Sequence, residues 1–280
     1  MKQMHLKVRD GLIASAMVGL LMAGWSVSTS AQTTCTTANW TNVVGLVNGD
    51  SNATGDVGTP PAFRRYAGPC ALKVPVNGVA RYVTDESPNA ETSYIARFYV
   101  FLDFSASATI TLFEALDASD APQLRLQYSG RDMALEVFNN SSTQSIQFTG
   151  LTNGWNSVEV AWTQAAEAEV SFSLNGNTPE TVTVDTAGRF IDKARMGNVN
   201  GATVASANID FDDFDSRRQT RPGRLLRGDA TGDNVVNIFD VQAAGSETFQ
   251  GVIAPGQPDC NEDGVINIFD VQCIGAIVFN

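Results

Sequence analysis

Apolar and polar residues alternate with a period of two, or form β-rich runs, over nine short segments: 79–84, 93–101, 106–115, 123–129, 133–138, 145–149, 155–163, 169–174 and 181–185. Successive side chains of an extended chain point to opposite faces, so each segment reads as a strand with one face toward a core. Turn residues punctuate them, at Asn77-Gly78, Ser129-Gly130, Asn153-Gly154 and Asn175-Gly176. Short strands at this spacing predict an antiparallel β-sandwich of the jelly-roll kind, and no amphipathic helix of three turns interrupts it. Within 155–163, Val158, Val160 and Trp162 share one face. The run from Ile209 to Asp215 alternates too, which sends Ile209 and Phe211 inward and predicts a solvent face of Asp210, Asp212, Asp213 and Asp215.

The two ends of the chain follow other patterns. Lys2, Lys7 and Arg9 precede an uncharged stretch from Gly11 to Val27 and the small residues Ser30 and Ala31. That order describes an export signal over 1–31, cut after Ala31, which leads to a secreted, cell-surface or periplasmic protein with no span after processing. After the sandwich, expected over 32–215, residues 216–227 hold five arginines, no acid and Pro222-Gly223, and read as a linker. Residues 228–280 contain a twelve-residue repeat. Asp229, Thr231, Asp233, Val235, Asn237 and Asp240 stand at loop positions 1, 3, 5, 7, 9 and 12, and Asp259, Asn261, Asp263, Val265, Asn267 and Asp270 repeat them thirty residues later. Oxygen donors at 1, 3, 5 and 12, a backbone carbonyl at 7 and a donor at 9 are what a hard cation takes, so two calcium ions are expected. Position 6 requires a left-handed backbone, open to Gly264 and tolerated by Asn234. Thr231 is a neutral ligand, which makes the first loop the weaker site.

Composition sharpens this picture. The chain has 280 residues with 18 basic against 30 acidic side chains, and its one histidine, His5, lies in the export signal. A mature chain without histidine excludes histidine acid–base and nucleophilic chemistry and His-ligated zinc or iron. Acidity opposes nucleic-acid binding, which needs basic side chains against phosphate. The segment 228–280 carries eight acids and neither Lys nor Arg. Four cysteines in an oxidising compartment favour disulfides, and among three connectivities the local one, Cys35–Cys70 with Cys260–Cys273, is the economical choice.

The duplicated pattern at 228–280 resembles the type I dockerin family, paired calcium-loop and helix units, here with the segments 241–249 and 271–279 following the loops. The resemblance implies a cohesin-like or other cell-surface protein partner, met through positions 10 and 11, which are Ile238, Phe239, Ile268 and Phe269. Identical pairs imply two equivalent orientations. More diffusely, the stretch 71–101, the segment from Trp155 to Trp162 and the acidic run to Asp215 resemble laminin-G/concanavalin-like sandwiches, which implies a polysaccharide ligand or glycoside hydrolysis. The E-x-D-x-x-E arrangement of the hydrolases in that group is missing, so no catalytic residue is assigned. Trp40, Tyr66, Tyr82 and Tyr128 are the aromatic candidates for stacking on sugar rings. The expected function is a secreted, non-catalytic calcium-binding protein whose sandwich is a binding module. A polysaccharide-degrading enzyme and a matrix protein are the alternatives.

Overall fold

A computed structural model describes residues 2–3, 35–48, 56–58 and 64–280. The export signal expected over 1–31 lies outside them except for Lys2 and Gln3. In chain order the strands are β1 (Lys2–Gln3), β2 (Asn42–Val44), β3 (Val47–Asn48), β4 (Asp56–Gly58), β5 (Ala71–Asn77), β6 (Arg81–Asp85), β7 (Ser93–Leu102) and β8 (Ala106–Leu116). They continue as β9 (Pro122–Gly130), β10 (Asp132–Phe138), β11 (Thr143–Phe148), β12 (Gly154–Thr163), β13 (Ala168–Leu174), β14 (Glu180–Val184), β15 (Lys193–Asn198) and β16 (Thr203–Arg217). Helices α1 (Ile238–Gln250) and α2 (Ile268–Phe279) close the chain. Among the described residues no helix is long and apolar enough to cross a membrane.

The strands form two largely antiparallel sheets. One runs β14-β13-β12-β7-β16-β5-β4-β3 with β1 beside β16, and the other runs β11-β10-β9-β8-β15-β6-β2. Their inner faces meet in one core that includes Phe98, Phe113, Leu126, Trp162, Phe172 and Phe211. Alternation explains most of the placement: Tyr94, Ala96, Phe98, Val100 and Leu102 of β7 all enter that core. On β9 and β10 the same rule buries Leu124, Leu126, Met133 and Leu135 and leaves Arg125 outside with Glu114 and Glu136. The disulfide Cys35–Cys70 ties the N-terminal segment to the start of β5, with Cα atoms 5.7 Å apart.

β16 departs from simple alternation. Its register against β7 shifts between Asp212 and Asp215, and Asp213 takes a φ of 46°. This bulge inserts one residue, so Phe214 returns to the same core as Ile209 and Phe211. The strand also runs on through Ser216 and Arg217, two residues past the sandwich boundary expected from the sequence.

A second, small core, of Ala230, Ala244, Ala254, Cys260 and Ile274, holds the C-terminal unit together. Cys260–Cys273 joins its second loop to α2.

Candidate metal centre

Each helix of the C-terminal unit starts on its own loop. Asn237 and Asn267 cap α1 and α2, and in both the N3 carboxylate, Asp240 or Asp270, reaches back to the cap's N–H at 2.8 Å. This reciprocal capping satisfies two otherwise orphaned donors, and it begins the helices at 238 and 268 rather than at the 241 and 271 suggested by the sequence. Loop positions 10 and 11 therefore sit in the first helical turn. Position 6 is left-handed in both copies, at Asn234 (φ 66°) and Gly264 (φ 82°), and so is position 4, at Gly232 (φ 74°) and Glu262 (φ 63°).

Inward turns bring the end positions of each loop together. Thr231 Oγ1 lies 2.8 Å from Asp240 Oδ1 and 3.4 Å from Asp229 Oδ1. Asp229 also accepts backbone N–H groups from Gly232, Asp233 and Asn234. In the second loop Asp259 Oδ2 accepts the Gly264 N–H at 2.8 Å, and Asp270 Oδ1 accepts that of Asn261 at 3.1 Å. At position 5, Asp233 and Asp263 accept from Val235 and Val265 N–H. Among the described residues no three acidic, cysteine or histidine side chains converge ready-made on one point.

The charge balance nonetheless fits a cation. Asp229, Asp240, Asp259 and Asp270 are all buried, and among the described residues none of the six loop aspartates has a Lys or Arg in ion-pair range. The unit's other two acids are paired, Glu247 with Arg65 and Glu262 with Arg224. Asp259 Oδ1 is fully buried with no hydrogen-bond partner. Burial pushes the Asp259 carboxyl up to about 7, and the nearby charges of Asp270 and Asp263 add to the rise. A buried, unpaired carboxylate among like charges is unfavourable unless a cation enters. The donors are oxygen throughout, the chemistry of calcium rather than of zinc.

The residues at positions 10 and 11 stay in solvent. Ile238 and Phe239 are 42% and 62% exposed, and Ile268 and Phe269 are 40% and 63%. The two copies thus present matching apolar pairs.

The arginine-rich segment is laid on the sandwich rather than solvated. Arg218 pairs with Glu91, Arg217 with Asp215, and Arg221 with Glu159, at 2.7–2.9 Å. Gly223 N–H also meets Glu159, and Leu225 N–H donates to the Tyr99 hydroxyl. Beneath it, Tyr66, Tyr99, Phe101 and Trp155 form a third apolar cluster. The predicted solvent face of β16 is corrected accordingly: Asp210, Asp212 and Asp215 are buried on the outer side of their sheet. Asp212 accepts the N–H groups of Tyr66 and Ala67, and Asp213 and Asp215 face Arg97. Two of the aromatic candidates for sugar stacking, Tyr66 and Tyr128, are wholly or almost wholly buried, and Trp40 packs against Phe214.

Burial pushes the Asp210 carboxyl up to about 6, against the pull of Arg64 and Lys73. An acid whose folded pKa exceeds its unfolded value loses stability as pH rises between the two. Relative to Asp210→Asn, the native chain should therefore lose stability from about pH 4 to pH 6. Parallel thermal melts of both proteins across that range check the sign, and equal slopes would refute it.

No family model matches the chain. No curated protein matches it either. Among solved structures, the endo-β-1,4-glucuronan lyase of the fungus Trichoderma reesei superposes with a TM-score of 0.51 at 12% identity, covering 66% of this chain and 94% of that one. The receptor-binding domain of botulinum neurotoxin type G superposes at 0.41 and 13% identity; the matched region is 55% of this chain and 40% of that domain. At such identities the likeness to the lyase bears on fold alone, and the fold it supports is the two-sheet β-sandwich.

Proposed function

We propose that this is an exported, non-catalytic calcium-binding protein. Its β-sandwich carries a dockerin-like unit that holds two calcium ions and attaches the whole to a cohesin-like or other surface protein. The observation that carries this reading is the pairing of buried aspartates, with no Lys or Arg counter-ion among the described residues, with matched, exposed Ile-Phe pairs at positions 10 and 11. Asp229, Thr231, Asp233, the Val235 carbonyl, Asn237 and Asp240 would hold one ion. Asp259, Asn261, Asp263, the Val265 carbonyl, Asn267 and Asp270 would hold the other. Calcium held there would supply the positive charge that each group of carboxylates lacks, while Asp240 and Asp270 cap the first helical turns that carry the apolar pairs.

Calorimetric titration of the full chain with calcium tests the first half, with two ions per chain expected and no binding at millimolar calcium excluding it. The fold shared with a glucuronan lyase leaves room for a second reading, in which the sandwich takes a polysaccharide. A glycan array followed by an assay for released sugar separates binding from turnover.

A further inference from the structure

The two loops are unequal in their surroundings. The first, at Asp229, Gly232 and Asn234, borders a cavity of about 540 Å³ between the C-terminal unit and the sandwich. The second is packed onto the outer face of β7 and β12. A Cβ on Gly264 would run into the Phe101 ring, and one on Gly154 would come within 2.7 Å of the Glu262 carbonyl oxygen. That carbonyl accepts the Trp155 N–H at 3.0 Å. The Glu262 carboxylate accepts the Tyr66 hydroxyl at 2.7 Å and pairs with Arg224 of the linker.

Glu262 is also strained. It stands at loop position 4 with a φ of 63°, where the first loop has Gly232. A side chain in that region is disfavoured by its Cβ and persists where surrounding contacts hold it. Here the loop supplies one backbone bond, Glu262 N–H to the Asp259 carbonyl, and the sandwich and linker supply the rest through Tyr66, Trp155 and Arg224.

We infer that the second calcium loop is an interdomain latch: Glu262 pins it to Tyr66, Trp155 and Arg224, so calcium at this loop and docking of the unit on the sheet stabilise each other. The inference rests on the calcium reading above. Linkage makes the coupling reciprocal, so a docking contact on the sandwich side strengthens calcium binding by the factor with which calcium strengthens docking. The first loop borders the cavity, and its half of the unit docks through other contacts, Glu247 of α1 with Arg65 and the Gly256 carbonyl with the Gly68 N–H, so Glu262 bears on the second site alone.

The test uses the full-length chain and calcium alone. Glu262→Gly relieves the backbone strain and copies the first loop, so a loop acting on its own would bind calcium at least as tightly. The latch instead requires weaker binding at the second site, by about tenfold for a lost charge-assisted hydrogen bond. Arg224→Ala, which leaves the loop itself unaltered, should weaken the same site and spare the other. In the native protein, chelation should speed hydrogen exchange at residues 99–101, 155–157 and 221–227. Calcium bound equally well by the native chain and both variants, with exchange insensitive to chelation, would overturn the latch while leaving the calcium sites in place. A native chain that binds no calcium would overturn both readings.

Discussion

Asp259→Asn is expected to reverse its effect on stability when calcium is added. Without calcium, the native side chain is a buried carboxyl whose ionisation is opposed by burial and by Asp270 and Asp263. The amide keeps an oxygen for the Gly264 N–H and removes the charge, so the variant should unfold at the same temperature or higher. With calcium the order inverts. An ion that binds only the folded chain stabilises it by about 2.7 kcal/mol per site at one hundred times its dissociation constant, and the variant loses the second site's share. Thermal melts with chelator and with millimolar calcium read both signs. A variant less stable than the native chain by the same amount in both conditions would mean that Asp259 serves the loop only through hydrogen bonding.

Arg65→Met should be the most damaging single change between the two parts of the molecule, at about 3–5 kcal/mol. The Arg65 side chain is 1% exposed and pairs with Glu247 of α1, itself nearly buried. Removing the guanidinium strands a carboxylate inside the protein, and the loss of that compensation outweighs the modest net value of the pair. Glu247 also accepts the Ala254 N–H at 2.8 Å. The double variant Arg65→Met with Glu247→Gln deletes both charges and keeps that acceptor, so most of the stability should return. Urea unfolding of the native chain, the single and the double variant measures this. A double variant as weak as the single would assign the loss to Arg65 packing instead of to the stranded charge.

Much of the architecture was legible before any coordinates. The nine alternating segments fall on β6 through β14, with ends displaced by about two residues, because a half-buried strand must alternate. The strands that went unread are short or irregular. β2, β3 and β4 have three residues or fewer, and β15 (Lys193–Asn198) holds two basic residues and a glycine. The two loops were visible because ligand spacing is local, and the left-handed sites at Asn234 and Gly264 followed from residue type. Glu262 was invisible for the converse reason. Position 4 ligates nothing, and its partners Tyr66 and Trp155 lie far away in sequence.

The acidic character of β16 shows where local pattern stops. Alternation puts Asp210 and Asp212 on one face, which Asp215 joins only through the bulge, but which element covers that face is a long-range matter. The segment Arg64 to Ala67, Arg97 of β7 and Arg217 turn a predicted solvent face into a buried one. The bulge at Asp213 is equally non-local, since only pairing with β7 returns Phe214 to the core. Local pattern was enough for β6 to β14, for the two repeated loops with their oxygen-bearing side chains and for the acidity of the C-terminal unit, each set by residues close together in the chain. Only the tertiary structure decided that the second loop and the arginine segment lie on the sheet. That choice is made by contacts such as Arg65 with Glu247, 182 residues apart, whose worth depends on burial that no local pattern encodes.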